Sequence, residues 1–195
     1  DANEPGQDRL YLYDGTGDDV LFASETQMTI DYDAGGTPDV DVFANGFNEV
    51  NAYAVNGGRD AATLKGSSGD DRFTARDLYG RMQGNGGSYT LYAQGFDVMT
   101  GDASGTGGTD VATLFDAEGD DLLEAGESSA SLDLDATPGV ENFNLIASGF
   151  DQTYAYAIRG GNDTAQLTGS DGNDRLTTKR TYSTLKRQDG SYFNY

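Results

Sequence analysis

The stretch DAATLKGSSGDDRFTA, residues 60–75, decides the predicted fold. Apolar and polar residues alternate on both sides of a central turn: Leu64 follows Asp60 in the first half, and Phe73 follows Asp71 in the second. Alternation of this kind is typical of a β-strand with one buried face. The Gly and Asp residues between the two halves favour a tight turn. The stretch therefore predicts two short strands joined by a turn.

Three other segments align with this stretch without gaps, and they are DRLYLYDGTGDDVLFA (8–23), DVATLFDAEGDDLLEA (110–125) and DTAQLTGSDGNDRLTT (163–178). In all four segments a first Asp is followed 11 residues later by a second Asp. Self-similarity at a nearly fixed period predicts a repeat protein. We expect residues 1–7 to be a linker or processed N-terminus and residues 8–195 to form a single domain. The predicted repeats are 8–59, 60–109, 110–162 and 163–195.

A second motif, Gly-Phe followed by Asp or Asn, begins at residues 46, 95 and 149. It resembles the Gly-Asp-Asp of the first motif, so each repeat of about 51 residues divides into two halves. Short strands, tight turns and a unit of about 25 residues favour one coil of a solenoid. The prediction is an all-β, right-handed parallel β-helix of about eight coils from four repeats. A β-propeller-like repeat is the alternative, since a four-stranded blade also needs about 40 to 50 residues.

The composition excludes several classes of function. Acidic residues number 33 against 12 basic ones, a net charge of -21, which disfavours nucleic acid as a partner. Histidine and cysteine are absent, which removes histidine-dependent triads and thiol chemistry. No apolar run is long enough for a membrane span, so we expect no membrane partner.

The sequence GGND (160–163), followed by Leu167 and by GSDGNDRL (169–176), resembles RTX-type repeats. The array also resembles degenerate β-helical repeats of large secreted bacterial proteins, which often lie beside carbohydrate-active domains. The resemblance implies calcium binding, a secreted or extracellular location and covalently linked neighbouring domains. It departs from the RTX pattern in its spacing of 11 residues between Asp residues, so the calcium geometry of that family does not transfer unchanged.

If half-repeats stack directly, the second Asp of each segment and the Asp of each Gly-Phe motif form a row along one corner, with Asn48 in the same row. Calcium binds six to eight oxygens of this kind, and calcium is therefore the predicted cofactor. The alternative is that each carboxylate caps its own turn by accepting backbone N–H bonds. The predicted metal ligands are Asp19, Asp71, Asp97, Asp121, Asp151 and Asp174.

Tyrosine accounts for 12 residues, and several tyrosines alternate with Ala or Leu, so we expect them to point outward. Exposed rings near Asn and Gln suit a polysaccharide, because rings stack on sugars while polar side chains bond hydroxyls. The alternative is that the rings stack on one another across strands and shield the sheet. The predicted ligand-binding residues are Tyr11, Tyr13, Tyr53, Tyr154 and Tyr156.

These observations favour a non-catalytic carbohydrate-binding module of a secreted polysaccharide-degrading protein. The first alternative is a calcium-stabilised structural spacer or adhesin repeat. The second alternative is a polysaccharide lyase or epimerase. No unique group of side chains interrupts the repeats, and a catalytic site usually does so, so an enzyme is the less favoured interpretation.

Overall fold

The computed structural model of this chain describes residues 8–33, 41–134, 143–188 and 193–195. The described residues form 19 strands and one short 3-10 turn at Asn85–Gly87, which confirms the predicted all-β class. They contain no helix that is both long enough and apolar enough to cross a membrane. The strands belong to two sheets, called here sheet A and sheet B.

Sheet A has ten strands, and neighbours in the following order are hydrogen-bonded. The order is β1 (Arg9–Tyr13), β5 (Glu49–Tyr53), β9 (Thr90–Gln94), β8 (Tyr79–Gly84), β7 (Asp71–Arg76), β11 (Val111–Phe115), β15 (Gln152–Tyr156), β19 (Phe193–Asn194), β18 (Ser183–Arg187) and β17 (Asp174–Thr178).

Sheet B has nine strands. Its order is β16 (Thr164–Leu167), β12 (Leu122–Ala125), β13 (Ser129–Leu134), β14 (Phe143–Ser148), β10 (Val98–Asp102), β6 (Ala61–Lys65), β2 (Val20–Ala23), β3 (Gln27–Asp31) and β4 (Val42–Asn45).

The chain passes repeatedly between the two sheets. It leaves β1 in sheet A, forms the antiparallel strands β2, β3 and β4 in sheet B, and returns to β5, which pairs parallel with β1. Residues 60–109 then start in sheet B at β6, form β7, β8 and β9 in sheet A, and return to β10, parallel with β6. Successive aligned segments therefore begin in opposite sheets.

The predicted parallel β-helix is wrong, because both sheets are mixed. Three-stranded antiparallel meanders, β2–β4, β7–β9, β12–β14 and β17–β19, interrupt the parallel pairings. The four-stranded blades of the alternative do not occur either, since the sheets have ten and nine strands. The physical reason is that a turn of two to four residues, such as Asp77–Leu78 between β7 and β8, lets the next strand fold back instead of coiling onward.

The core lies between the sheets and contains inward side chains from both. Leu12 and Leu114 of sheet A and Leu21 and Leu64 of sheet B belong to one buried cluster. Phe73 is fully buried there, and its ring lies 6.0 Å from that of Phe150. Inward apolar residues alternate with outward polar or aromatic ones, so each sheet has one outer face available for contacts.

Candidate functional site

Tyrosine is unevenly distributed between the two sheets. The described strands of sheet A contain seven tyrosines, and those of sheet B contain none. The seven are Tyr11, Tyr13, Tyr53, Tyr79, Tyr92, Tyr154 and Tyr156. All of them alternate with inward residues such as Leu12, Ala52 and Ala93, so they lie on the outer face of sheet A.

The strand register places a set of outward side chains in one line across seven neighbouring strands, from β1 to β15. The paired residues are Tyr13, Tyr53, Gln94, Tyr79, Arg76, Phe115 and Tyr156. Six intervals between strands span about 29 Å. We call the aromatic members of this line, together with Tyr92 on β9, the aromatic row.

Ring contacts link the members of the aromatic row in two groups. In the first group, the rings of Tyr13 and Tyr53 stack at 5.5 Å, and Tyr92 lies 6.2 Å from Tyr53 and 5.7 Å from Tyr79. In the second group, Phe115 stacks on Tyr156 at 5.4 Å. The two groups meet at β7, where an arginine side chain takes the place of a ring in the line.

Arg76 is that arginine, and its guanidinium carbon lies 4.6 Å from the centroid of the Phe115 ring. On its other side it pairs in register with Tyr79. A cation over an aromatic face is favourable, so Arg76 continues the line between the two groups.

The predicted ligand-binding tyrosines all lie on this outer face, but not as one patch. Tyr11 and Tyr13 on the edge strand β1 are 52% and 57% exposed, whereas Tyr53, Tyr154 and Tyr156 are half-buried. Four strands of sheet A separate β5 from β15. The side chains that fill this gap, Tyr79, Tyr92, Arg76 and Phe115, were missed in the sequence prediction. The aromatic residues on β8, β9 and β11 alternate with inward residues and therefore point outward. Only the strand pairing shows that they lie beside the predicted tyrosines.

The acidic residues do not form the predicted single row, because half-repeats do not stack on one another. Asp19 and Asp97 directly precede strands of sheet B, whereas Asp71 begins a strand of sheet A and Asp151 precedes another. Asn48 precedes β5 in sheet A, and its carbonyl accepts a bond from Thr90 N–H. The first Asp of three aligned segments, Asp60, Asp110 and Asp163, was not among the predicted ligands and completes the rows. The rows are Asp19–Asp60–Asp97, Asp71–Asp110–Asp151 and Asp121–Asp163.

Within each row, the backbone N–H of one Asp donates to the carboxylate of the Asp on the neighbouring strand. The N–H of Asp19 lies 2.8 Å from Asp60 Oδ1, and that of Asp60 lies 2.7 Å from Asp97 Oδ2. Asp71 and Asp110 donate in the same way to Asp110 and Asp151, both at 2.8 Å. These bonds satisfy buried backbone donors where strands begin.

The second Asp of each aligned segment also closes its own turn. Asp19, Asp71, Asp121 and Asp174 each accept the N–H of the residue four positions earlier, at 2.6–3.1 Å. Four of the six predicted metal ligands therefore cap their own turns, whereas the other two, Asp97 and Asp151, accept the N–H of an Asp next to a neighbouring strand. The described residues contain no cluster of three or more His, Cys, Asp or Glu that could hold a metal ion. Calcium binding stays a prediction.

The middle carboxyls of two rows have altered acidity. Burial raises the pKa of Asp60, and the nearby charges of Asp19 and Asp97 act in the same direction, although the N–H of Asp19 opposes them. Burial likewise raises the pKa of Asp110 between Asp71 and Asp151. A buried carboxyl with carboxylate neighbours is easier to protonate than one in water.

The double variant D60N/D110N is expected to flatten the pH dependence of stability above about pH 4. Because the folded pKa values are raised, the neutral carboxyls stabilise the fold below the unfolded value of 3.8, and this contribution is lost as the pH rises through the raised values. Asparagine keeps the acceptor oxygen and cannot ionise. The measurement is the free energy of unfolding in urea at several pH values.

Asp102→Asn is the control with the opposite sign. Although burial raises the pKa of Asp102, hydrogen bonds from Ser104 and the charge of Lys65 outweigh it and lower the pKa. Its stabilising contribution is present above 3.8 and is lost as the pH falls through the lowered value. Identical pH profiles for D60N/D110N and the unmodified protein would contradict the prediction.

Comparison with family models, with curated proteins and with solved structures finds no match for this chain. The similarity to RTX repeats therefore rests on the residues quoted above, and the function has to be argued from the outer face of sheet A.

Proposed function

We propose that this protein binds a polysaccharide along the outer face of sheet A. The observation that carries the proposal is the aromatic row, five of whose six rings lie in one line of strand register between β1 and β15. A line of this length is suited to several consecutive sugars of an extended chain, because the strand spacing is comparable to one residue of a β-linked glycan. Binding by a preformed line of rings requires no catalytic group.

The most accessible rings lie at the edge of the sheet. Tyr11 and Tyr13 on β1 are more than half exposed, and no described strand lies beyond β1 in sheet A. A free ring face can stack on the apolar face of a sugar. Further along the sheet, the half-buried rings are stacked on or tilted against one another.

Amide side chains accompany the rings on the same face. The hydroxyl of Tyr92 donates to Gln94 Oε1 at 2.9 Å, and that of Tyr154 donates to Gln152 Oε1 at 3.1 Å. These bonds fix the orientation of the rings and leave the amide NH₂ groups to donate to sugar hydroxyls. Rings held in place before binding lose less conformational entropy when the glycan arrives.

Tyr13→Ala is expected to weaken polysaccharide binding roughly tenfold, because it removes the most exposed ring of the row. The measurement is retardation in affinity gels containing xylan, β-glucan, alginate or polygalacturonate. Phe43→Ala is the matched control, since Phe43 is 58% exposed on the edge strand β4 of sheet B. The proposal fails if none of the four polymers retards the protein, or if the two variants weaken binding equally.

Secretion and attachment to a polysaccharide-degrading enzyme stay predictions from the sequence. The alternatives of a calcium-stabilised spacer and of a lyase or epimerase also remain predictions.

A further inference from the structure

The outer faces of the two sheets carry opposite charge. On the strands of sheet A, six basic side chains and one acidic side chain point outward; they are Arg9, Arg72, Arg76, Arg81, Arg175 and Lys186, against Glu49. On the described strands of sheet B, one basic and four acidic side chains point outward; they are Lys65, against Asp31, Asp102, Glu124 and Asp133. The formal charges of these outward strand residues are therefore +5 and -3.

This distribution runs against the composition of the chain. With 33 acidic and 12 basic residues, a random outer face would carry an excess of negative charge. Half of all basic residues instead lie outward on the strands of one sheet. Solubility does not explain this grouping of Lys and Arg, because the net charge of -21 already keeps the protein soluble. The grouping therefore indicates a ligand.

The arginines at the centre of this face are available to a ligand. Arg72 and Arg81 are exposed, and neither they nor Arg76 form an ion pair with any residue that the structure describes. The Nε of Arg76 is buried and has no hydrogen-bond acceptor among the described residues. By contrast, Arg9 on the edge strand is paired with Glu49 at 2.9 Å.

These arginines lie beside the aromatic row. Arg81 pairs in register with Tyr92 on one side and with Thr74 on the other. Arg72 is two residues from Thr74 on β7 and faces the same way. A ligand lying along the row is therefore within one strand interval, about 5 Å, of Arg81, and Arg72 lies about 7 Å beyond Thr74 along β7.

We infer that the ligand on this face is an acidic polysaccharide, specifically a polyuronate that carries a carboxylate on each sugar. This inference rests on the proposed function and gives its ligand a chemical class. The planar guanidinium fork matches a carboxylate with two parallel hydrogen bonds. The negative charge elsewhere on the protein repels the same polymer, so the ligand is confined to the outer face of sheet A.

A nucleic acid is the competing polyanion, since rings and arginines also bind single strands. The net charge of -21 disfavours it, because each nucleotide brings a phosphate and binding depends on neutralising many of them.

The test compares polygalacturonate with its highly methyl-esterified form, which has the same backbone without the charge. We expect the unmodified protein to bind the acidic polymer at least about tenfold more tightly than the ester. The double variant R72Q/R81Q is expected to lose about tenfold in affinity for the acidic polymer, with unchanged affinity for the ester. Lys65→Gln on sheet B, which also removes a positive charge, is expected to leave both affinities unchanged. Thermal melts establish that each variant is folded.

The possible outcomes separate this inference from the proposed function. Equal binding of both polymers, with no effect of R72Q/R81Q, would overturn the inference and leave polysaccharide binding standing. Retardation by xylan or β-glucan alone would do the same. Absence of binding to any polymer, acidic or neutral, would overturn both. Tighter, R72Q/R81Q-sensitive binding to single-stranded DNA than to polygalacturonate would also overturn the inference, in favour of a nucleic acid.

Discussion

Gly58→Ala is expected to destabilise the protein by about 3 kcal/mol or more, combining backbone strain with a steric clash. Gly58 has a φ of +135°, a conformation that residues with a Cβ rarely adopt. An alanine Cβ at this position would also overlap the carbonyl oxygen of Gly17, which belongs to the backbone and has little room to move. The measurement is the free energy of unfolding in urea for the variant and the unmodified protein.

The clash arises because the turns of neighbouring strands are in close contact. Gly17 N–H donates to the carbonyl of Gly57 at 3.1 Å, and Asp18 Oδ1 accepts the N–H of Arg59 at 2.8 Å. These two bonds hold one turn against the next. The same overlap recurs at the other end of the chain, where a Cβ on Gly161 would meet the carbonyl oxygen of Gly119.

Gly57→Ala is the matched control for Gly58→Ala. Gly57 also has a positive φ, +78°, but a Cβ there would meet no atom within 4 Å. Gly57→Ala should therefore reduce the free energy of unfolding only through backbone strain, by about 1 kcal/mol. Equal losses for the two variants would show that the turns can separate, contrary to the close packing described above.

Asp71→Ala is expected to cost roughly 3 kcal/mol, because it leaves several buried donors without an acceptor. The Asp71 carboxylate is buried and accepts the N–H of Ser67 at 2.6 Å and the hydroxyl of Tyr89 at 2.8 Å. Tyr89 is itself buried, and burial together with the neighbouring Asp71 raises its pKa. Its hydroxyl therefore stays protonated and needs an acceptor.

Two controls separate the buried carboxylate from general effects of charge. Asp70→Ala removes the same side chain at the preceding, exposed position, where Asp70 accepts one N–H, from Thr109. It should cost about 1 kcal/mol. Tyr89→Phe removes only the hydroxyl, and combining it with Asp71→Ala in a double-mutant cycle isolates their bond. If Asp70→Ala and Asp71→Ala had equal effects on the urea midpoint, the capping role assigned to Asp71 would be wrong.

The sequence predicted the local structure better than its arrangement. Alternation around Leu64 and Phe73 correctly predicted two strands and their inward residues. A strand with one buried face has an apolar residue at every second position, and this pattern is visible in the sequence. The capping alternative for Asp71 likewise followed from local turn chemistry. Each of these inferences needs only residues close together in the chain.

The predicted arrangement of the strands was wrong where it depended on pairing between residues far apart in the sequence. The similarity between the Gly-Asp-Asp and Gly-Phe-Asp motifs was interpreted as direct stacking, whereas Asp60 separates Asp19 from Asp97 in the observed row. Tyr79 carried no repeat signal because β8 is the middle strand of a meander, and Arg76 on β7 lies just beyond the aligned segment 60–75. Pairing partners are set by which edges meet in three dimensions, and the alternation of side chains is the same for parallel and antiparallel neighbours.

The crossing of the chain from one sheet to the other constrains how the molecule can be shortened or lengthened. If residues 60–109 were excised and the folding path kept, the segment that starts at Asp110 would follow β5 and enter the opposite layer. Phe115 and Tyr156 would then lie on the reverse side of the molecule from Tyr13 and Tyr53. Only gain or loss of segments in even numbers keeps one side rich in rings and the other acidic.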